Sequence, residues 1–189
     1  MNTAKDTQHP SSVDAPRSSL EVAVVTVSDR SAAGERDDLS GPAAREVLEA
    51  ADFRVSFVAT VPDSRKQIRQ TVKEAIDSGV AAILLTGGTG IAPRDKTPQA
   101  VAPLLTMQLP GIGEELRRRG VAAGAPGALL SRGFGGIIRE KGKYEVLVIA
   151  APGSVGGAKD GAELLVQLGR HAAHQLAGGD HGAGDGASI

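Results

Sequence analysis

The chain has 189 residues, 41% hydrophobic and 23% charged, with a net charge of −1 and no cysteine. These values fit one globular domain with short tails. They argue against a basic surface for nucleic acid or membrane and exclude disulfides, thiolate metal sites and a cysteine nucleophile. Aromatic residues make up only 2%, too few to stack single-stranded nucleic acid. No apolar run approaches the length of a spanning helix, so we expect a cytoplasmic protein with neither nucleic-acid nor membrane partners.

The two ends of the chain differ in composition from its middle. Residues 1–19 are polar, contain two prolines and four serines, and show no hydrophobic periodicity, which is typical of a disordered leader. Residues 179–189 form a polar tail rich in glycine and aspartate. We therefore expect one folded domain at residues 20–178 between a disordered leader and a flexible tail.

The first half of this domain alternates predicted strands and helices. Residues 20–27 form a β-branched run typical of a strand buried on both faces, and residues 54–61 alternate as a second strand. A helix is expected to open at Pro42. Another is expected after Ser64, which has capping-box spacing to Gln67. A third strand at residues 80–85 completes the pattern.

The third strand runs into a glycine turn formed by Gly87, Gly88, Thr89 and Gly90. Three glycines in four positions leave backbone amides free to point together at an anion. Beyond the turn, Arg94 supplies a cation for phosphate and Asp95 a carboxylate for a divalent metal. Thr97 and Pro98 are predicted as the N-cap and first residue of a helix that reaches about Met107.

The sequence of the second half of the domain predicts two short helices, two strands and a long closing helix. Residues 112–119 are expected to form a helix in which Glu114 and Glu115 face Arg118 and Arg119. Two strands around Ile137 and at 144–149 are expected to be joined by a turn at 141–143. The closing helix bears an apolar stripe of Leu164, Leu165, Leu168, Ala172 and Leu176. This order predicts an α/β fold: a three-layer α/β/α domain with a mostly parallel, mixed sheet.

Familiar nucleotide and nucleophile motifs do not match the sequence. A P-loop requires lysine after its last glycine, but Ile91 follows Gly90, and the dinucleotide fingerprint lacks its third glycine at Pro93. His171 and His174 share a helix face, yet no histidine is near the glycine turn. The sequence therefore shows no evident set of catalytic residues for acyl transfer.

Four loops follow apolar strands, and they contain Ser28, Asp29 and Arg30, then Asp63, then the glycine turn, then residues 152–157. Because parallel strands place their carboxyl ends at one edge of the sheet, we expect these loops to converge on one composite site. A phosphate monoester, with a second pKa of about 6, is already an anionic nucleophile at neutral pH. It needs positioning, N–H donors and a metal held by carboxylates rather than a general base.

Seven stretches taken in order resemble the MoaB/Mog family of molybdenum cofactor biosynthesis, in particular its stand-alone adenylyltransferase subgroup. They are residues 28–30, 38–42, 61–63, 86–98, 110–111, 130–132 and 152–153. The resemblance spans residues 20–178. It implies an α/β/α protomer that assembles as a homotrimer or a dimer of trimers. It also implies transfer of AMP from Mg-ATP to the terminal phosphate of molybdopterin, whose adenylated form passes to a downstream molybdate-insertion protein.

The resemblance also implies roles for individual residues. Asp63 and Asp95 take the places of two essential carboxylates, and Asp95 would also hold Mg²⁺. The phosphates and nucleotide would be bound by Ser28, Asp29, Arg30, Gly87, Gly88, Thr89, Gly90 and Arg94. The pterin would be bound by Ser131, Arg132, Pro152, Gly153 and Ser154.

Three features depart from the family pattern. Lys96 replaces an apolar residue, Gln99 replaces an acidic one, and the loop at 154–157 lacks a second proline. These departures leave two alternatives beside the adenylyltransferase. One is a non-catalytic member that binds or scaffolds the pterin, and the other is an enzyme with a different nucleotide substrate.

Overall fold

The computed structural model describes residues 19–140 and 142–178. The predicted tail, and the predicted leader apart from Ser19, lie outside the described residues, as does Lys141 of the predicted turn. The strands are β1 (Glu21–Val27), β2 (Arg54–Val61), β3 (Ala82–Thr86), β4 (Met107–Gln108), β5 (Phe134–Glu140) and β6 (Tyr144–Ala151). The helices are α1 (Asp29–Ala32), α2 (Ser40–Ala50), α3 (Arg65–Asp77), α4 (Thr97–Val101), α5 (Pro110–Ala122) and α6 (Val155–Leu176), with 3₁₀ turns at Ala102–Leu104 and Pro126–Leu130.

The strands form one six-stranded sheet in the order β2-β1-β3-β6-β5-β4. The first four are parallel to one another, and β5 and β4 add an antiparallel edge. The prediction of a mostly parallel, mixed sheet is confirmed. This order places the carboxyl ends of β1, β2, β3 and β6 side by side.

Helices cover both faces of the sheet because successive strand residues point to opposite sides. Val24 and Leu84 belong to a buried cluster that includes Leu48 of α2 and Leu165 of α6. The alternate residues, such as Leu85, belong to a second cluster with residues of α3 and α4. These two cores confirm the three-layer α/β/α arrangement.

The prediction of one helix from Pro98 to Met107 is wrong. Helix α4 ends at Val101, a 3₁₀ turn follows, and Met107 begins the short edge strand β4. Pro103 explains the break, since it has no N–H to continue the helix. The chain then turns toward β5, where the Thr106 amide donates to the carbonyl oxygen of Ile137 at 2.8 Å.

Side-chain caps set several other helix boundaries. Helix α2 begins at Ser40, two residues before the predicted Pro42, because one Asp38 carboxylate oxygen accepts from the Ser40 and Gly41 amides at 3.0 Å each. Ser64 caps α3 as predicted. Thr97 is not the N-cap of α4, because Lys96 occupies that position. None of the described helices is long and apolar enough to cross a bilayer.

Candidate active site

The loops at the carboxyl ends of the parallel strands enclose one cavity of about 680 Å³. The sheet topology therefore confirms that all four predicted loops converge. The predicted site residues that line this cavity are Ser28, Asp29, Arg30, Asp63, Gly87, Gly88, Thr89, Gly90, Arg94, Asp95, Ser131, Pro152, Gly153 and Ser154. Arg132 is the one predicted site residue that does not line it.

The first glycine loop, residues 87–95, needs its glycines for packing as well as for ligand access. Gly87 and Gly88 have φ angles of 103° and 61°, values that favour glycine. A Cβ atom at Gly87 would overlap the carbonyl oxygen of Val27 at the end of β1. One at Gly88 would lie 2.6 Å from Oδ1 of Asp63. The loop therefore packs directly against the end of β1 and against the Asp63 carboxylate.

Hydrogen bonds from later parts of the chain hold this loop in place. The Arg132 guanidinium donates from Nε to the Gly90 carbonyl at 2.7 Å and from Nη2 to the Asp95 carbonyl at 2.9 Å. The Arg132 amide donates to the Thr89 carbonyl at 2.7 Å. Thr97 donates from Oγ1 to the Gly87 carbonyl at 2.7 Å. Arg132 therefore contacts the loop, whereas the sequence predicted that it contacts the pterin.

Gln99 joins the same network. With its amide oriented to satisfy both neighbours, Oε1 accepts from Nη1 of Arg132 at 2.6 Å and the nitrogen donates to the Asp95 carbonyl at 3.2 Å. The Asp95 side chain closes the loop from within, since its Oδ2 accepts from the Ala92 amide at 2.8 Å. Gln99, one of the residues that departs from the family pattern, therefore contacts the backbone of the loop and does not line the cavity.

Three carboxylates meet on one side of the cavity. The Asp63 amide donates to Oδ1 of Asp29 at 2.9 Å, while Oδ1 of Asp63 is buried without a donor among the described residues. Burial raises the pKa of Asp63, and the nearby negative charges of Asp29 and Asp95 raise it further, while the Asp29 hydrogen bond and Arg94 oppose these effects. An uncompensated buried acceptor among like charges is a place where a cation is favoured.

These carboxylates suit Mg²⁺ as part of its ligand set and not as a complete one. Among the described residues, no group of three His, Cys, Asp or Glu side chains is placed to hold a metal by itself. Mg²⁺ is usually held by one or two carboxylates together with substrate phosphates and water. The unpartnered oxygen of Asp63 and the neighbouring Asp95 provide that smaller donor set.

The serines of the site have partners of their own. Oγ of Ser28 caps α1 by accepting from the Ser31 amide at 3.3 Å, and Oγ of Ser154 caps α6 by accepting from the Gly157 amide at 3.1 Å. Ser131 and Thr89 bring their hydroxyl oxygens within 3.4 Å of each other. Each hydroxyl is therefore held in a fixed position at the cavity wall.

The sequence did not predict the part of the cavity wall that α5 and α6 form. Leu116 and Gly120 of α5 line it with Ala123, the C-cap of that helix, and with Asp160 of α6. Arg36 lines the cavity as well. Leu116, Gly120 and Ala123 recur at i, i+4 and i+7, the spacing of one helix face, which was the available signal. Nothing local in the sequence marks Asp160 or Arg36.

The fold and this cavity define an α/β protein that places its ligand site at the carboxyl ends of parallel strands, as expected for open α/β sheets. The matching family model is described as a probable molybdopterin binding domain and covers residues 23–171. The chain therefore belongs to this family, which includes the MoaB and Mog proteins.

Individual relatives support the assignment. A molybdenum cofactor biosynthesis bifunctional protein from Synechococcus elongatus is 40% identical over 159 residues, which are 84% of this chain and 48% of the relative. The chain spans about half the length of the bifunctional relatives it matches. A molybdopterin adenylyltransferase from Pyrococcus furiosus is 37% identical over 80% of this chain and 88% of its own.

A solved structure extends the comparison to the fold. The crystal structure of the tungsten cofactor synthesizing protein MoaB from Pyrococcus furiosus superposes with a TM-score of 0.78 at 35% identity. It covers 85% of this chain and 98% of its own. The three-layer fold with its mixed sheet is therefore that of the MoaB/Mog proteins.

Proposed function

We propose that this chain is a molybdopterin adenylyltransferase that transfers AMP from Mg-ATP to the terminal phosphate of molybdopterin. The observation that carries the proposal is one cavity bordered by the first glycine loop, Asp63 and Asp95. The adenylyltransferase name of the relative from Pyrococcus furiosus supports it. In this reaction a phosphate oxygen of the pterin bonds to the α-phosphorus of ATP. The bond from that phosphorus to the bridging oxygen breaks, and pyrophosphate leaves with the electron pair.

The cavity supplies what this reaction requires and little else. No histidine or cysteine is among the described residues that line it, and a phosphate monoester with a second pKa of about 6 needs no general base. Amides of the first glycine loop would donate to the phosphates, and Arg30 and Arg94 would offset their charge. The protein's contribution is therefore orientation and charge stabilisation.

Asp63 and Asp95 would hold Mg²⁺, with Asp95 the principal ligand. When bound, the ion supplies a Lewis acid that neutralises charge developing on the transferred phosphates. The role of the two carboxylates is to fix its position beside the first glycine loop.

Substrate binding divides between the two sides of the cavity. Ser28, Asp29 and Arg30 would contact the nucleotide. Ser131 and the second glycine loop, residues 152–157, would contact the pterin and its phosphate through Pro152, Gly153 and Ser154. Arg132 is assigned differently from the sequence prediction: it would position the first glycine loop.

The test is release of pyrophosphate from Mg-ATP in the presence of molybdopterin. Asp63→Asn and Asp95→Asn should each lower turnover by at least about 100-fold, as expected on losing a transition-state contact. Asp37→Asn is the matched control, because Asp37 is exposed and absent from the cavity lining. A folded wild-type chain that binds molybdopterin without releasing pyrophosphate would overturn the proposal in favour of a non-catalytic pterin-binding or scaffolding member.

The departures at Lys96 and Gln99 are the reason to keep that second candidate. Neither residue lines the cavity, so the geometry favours the enzyme over the scaffold. A different nucleotide substrate is tested in the same assay by replacing ATP with other nucleoside triphosphates.

We also propose that the chain assembles as a homotrimer or a dimer of trimers. Leu39, Val58 and Leu129 are 65%, 55% and 65% exposed and do not line the cavity; exposed aliphatic side chains of this kind are what another copy would cover. Light scattering should give a mass three or six times that of the chain. Transfer of the product to a downstream molybdate-insertion protein and a cytoplasmic location stay predictions from the sequence.

A further inference from the structure

The cavity wall opposite the carboxylates is apolar apart from one side chain. Leu116 and Gly120 of α5, its C-cap Ala123, and Ala128 and Leu130 of the 3₁₀ turn all line the cavity here. The two elements pack closely, since a Cβ atom at Gly120 would lie 2.5 Å from the Cβ atom of Ala128. Small and aliphatic side chains of this kind suit a flat ring system.

The single charged residue among the described residues of this wall is Asp160 of α6. It is partly buried, and no donor in the described part of the chain hydrogen-bonds to its carboxylate. Burial raises its pKa; Arg119 opposes that effect, and the charges of Glu163 and Glu115 add to it. The carboxylate therefore lies at the cavity with unused acceptor capacity.

Arg119 is the cation whose charge acts on Asp160, but its guanidinium has other partners. Its guanidinium donates to Glu115 at 2.8 Å, to Glu163 at 3.1 Å and to Gln167 at 2.8 Å. These contacts join Arg119 to side chains of α5 and α6 other than Asp160. The Asp160 carboxylate is therefore free to accept a hydrogen bond from a ligand in the cavity.

The two substrates differ in the hydrogen-bond donors that they can offer to Asp160. The pyrimidinone edge of a pterin carries a 2-amino group next to an N3–H, two parallel donors that match the two oxygens of a carboxylate. Adenine has no such adjacent pair. Asp160 also lies six residues after Ser154, about 9 Å along α6, which is close to the length of a fused pterin ring system.

We propose that Asp160 binds the 2-amino and N3–H edge of the pterin ring and determines the selection of pterin over adenine at this wall. This inference rests on the proposed function, because it assumes a pterin substrate. The phosphate end of that substrate then lies toward the second glycine loop and Asp95.

The experiment measures binding of two ligands separately. Full-length wild type and Asp160→Asn are titrated with a fluorescent oxidised pterin phosphate and, independently, with Mg-ATP. Asp160→Asn keeps the size of the side chain but replaces one acceptor by a donor. The Kd for the pterin should rise by at least about 10-fold, because a hydrogen-bonding site loses its match, while the Kd for ATP should stay within about two-fold.

Asp77→Asn is the matched control, since it makes the same chemical change at an exposed residue of α3 that does not line the cavity. It should leave both Kd values within about two-fold. Asp160→Glu should recover part of the pterin affinity, and Asp160→Ala provides a second variant should Asp160→Asn fold poorly. Thermal unfolding of each variant verifies the fold.

Two outcomes would overturn the inference: an unchanged pterin Kd in a folded Asp160→Asn, or a larger loss for ATP than for the pterin. A wild-type chain that binds no pterin would overturn it as well. Because the readout is binding, the adenylation reaction is judged separately. Wild type that binds pterin but releases no pyrophosphate contradicts the proposed function, while the comparison with Asp160→Asn still decides this inference.

Discussion

The two glycine loops at the cavity are held in different ways. The first, residues 87–95, receives hydrogen bonds from Arg132 and Thr97 and is closed by the Asp95 carboxylate. The second, residues 152–157, is held by the Ser154 cap and by Oγ1 of Thr86, which donates to the Pro152 carbonyl at 2.9 Å. The loop that carries the charged groups receives two hydrogen bonds from the Arg132 guanidinium, whereas the second receives one from Thr86 and otherwise depends on the cap of the helix it starts. We therefore expect distant substitutions to damage the first loop more than the second.

A matched pair of glycine substitutions should give the largest contrast in stability. Gly87→Ala places a side chain at a positive φ and against the Val27 carbonyl, so the free energy of unfolding should fall by roughly 2–5 kcal/mol. Gly156→Ala meets open space at the start of α6 and should gain about 0.5–1 kcal/mol. Urea unfolding measures both. Equal losses at the two positions would contradict the comparison.

Removing the Arg132 side chain tests how the first loop is held. Arg132→Ala removes the donor to the Gly90 carbonyl and one of two donors to the Asp95 carbonyl, and the loop should shift. We expect kcat to fall by about 10- to 100-fold with little change in the KM for molybdopterin. Arg132→Lys should recover only part of the rate, because one ammonium cannot reproduce the guanidinium geometry. A rise in KM for the pterin at constant kcat would instead support the pterin contact predicted from the sequence.

The second loop offers a smaller and purely local effect. Ser154→Ala removes the N-cap of α6 and should lower the free energy of unfolding by about 1 kcal/mol. Ser64→Ala removes the equivalent cap of α3 and serves as the control for stability. A loss several times larger at Ser154 would show that the second loop is braced more widely than its hydrogen bonds indicate.

The smallest expected effect is a gain in stability at Asp63, whose carboxylate packs against the first loop at Gly88. Because the pKa of Asp63 is raised in the folded chain, the ionised carboxylate destabilises the native state above that pKa. The contribution of Asp63 to wild-type stability is greatest at pH values below the pKa of the unfolded chain. It is lost as the pH rises through the raised pKa of the folded chain. Asp63→Asn should remove this dependence and raise the melting temperature at pH 7 while abolishing turnover. A lower melting temperature would contradict the assignment.

The sequence predicted those parts of the fold and site that depend on local pattern. The β-branched run of β1 and the alternation in β2 identified strands, and the glycine turn identified the first loop. Arg132 could not be assigned, because its guanidinium partners lie about 40 residues earlier in the chain. Asp160 could not be found, because its importance depends on a wall built by α5. Pro103 could have indicated the end of α4, yet the pairing of β4 with β5 required the folded sheet.

The contact between Gly87 and Gly153 has a thermodynamic consequence. A Cβ atom at Gly153 would lie 2.9 Å from the Gly87 Cα, and the Gly87 amide donates at 3.0 Å to the carbonyl of Ala151, the residue before the second loop, so the two loops pack directly against each other. A ligand that shifts one loop changes the work of ordering the other. Nucleotide and pterin should therefore be linked ligands, each altering the affinity of the other by the same factor.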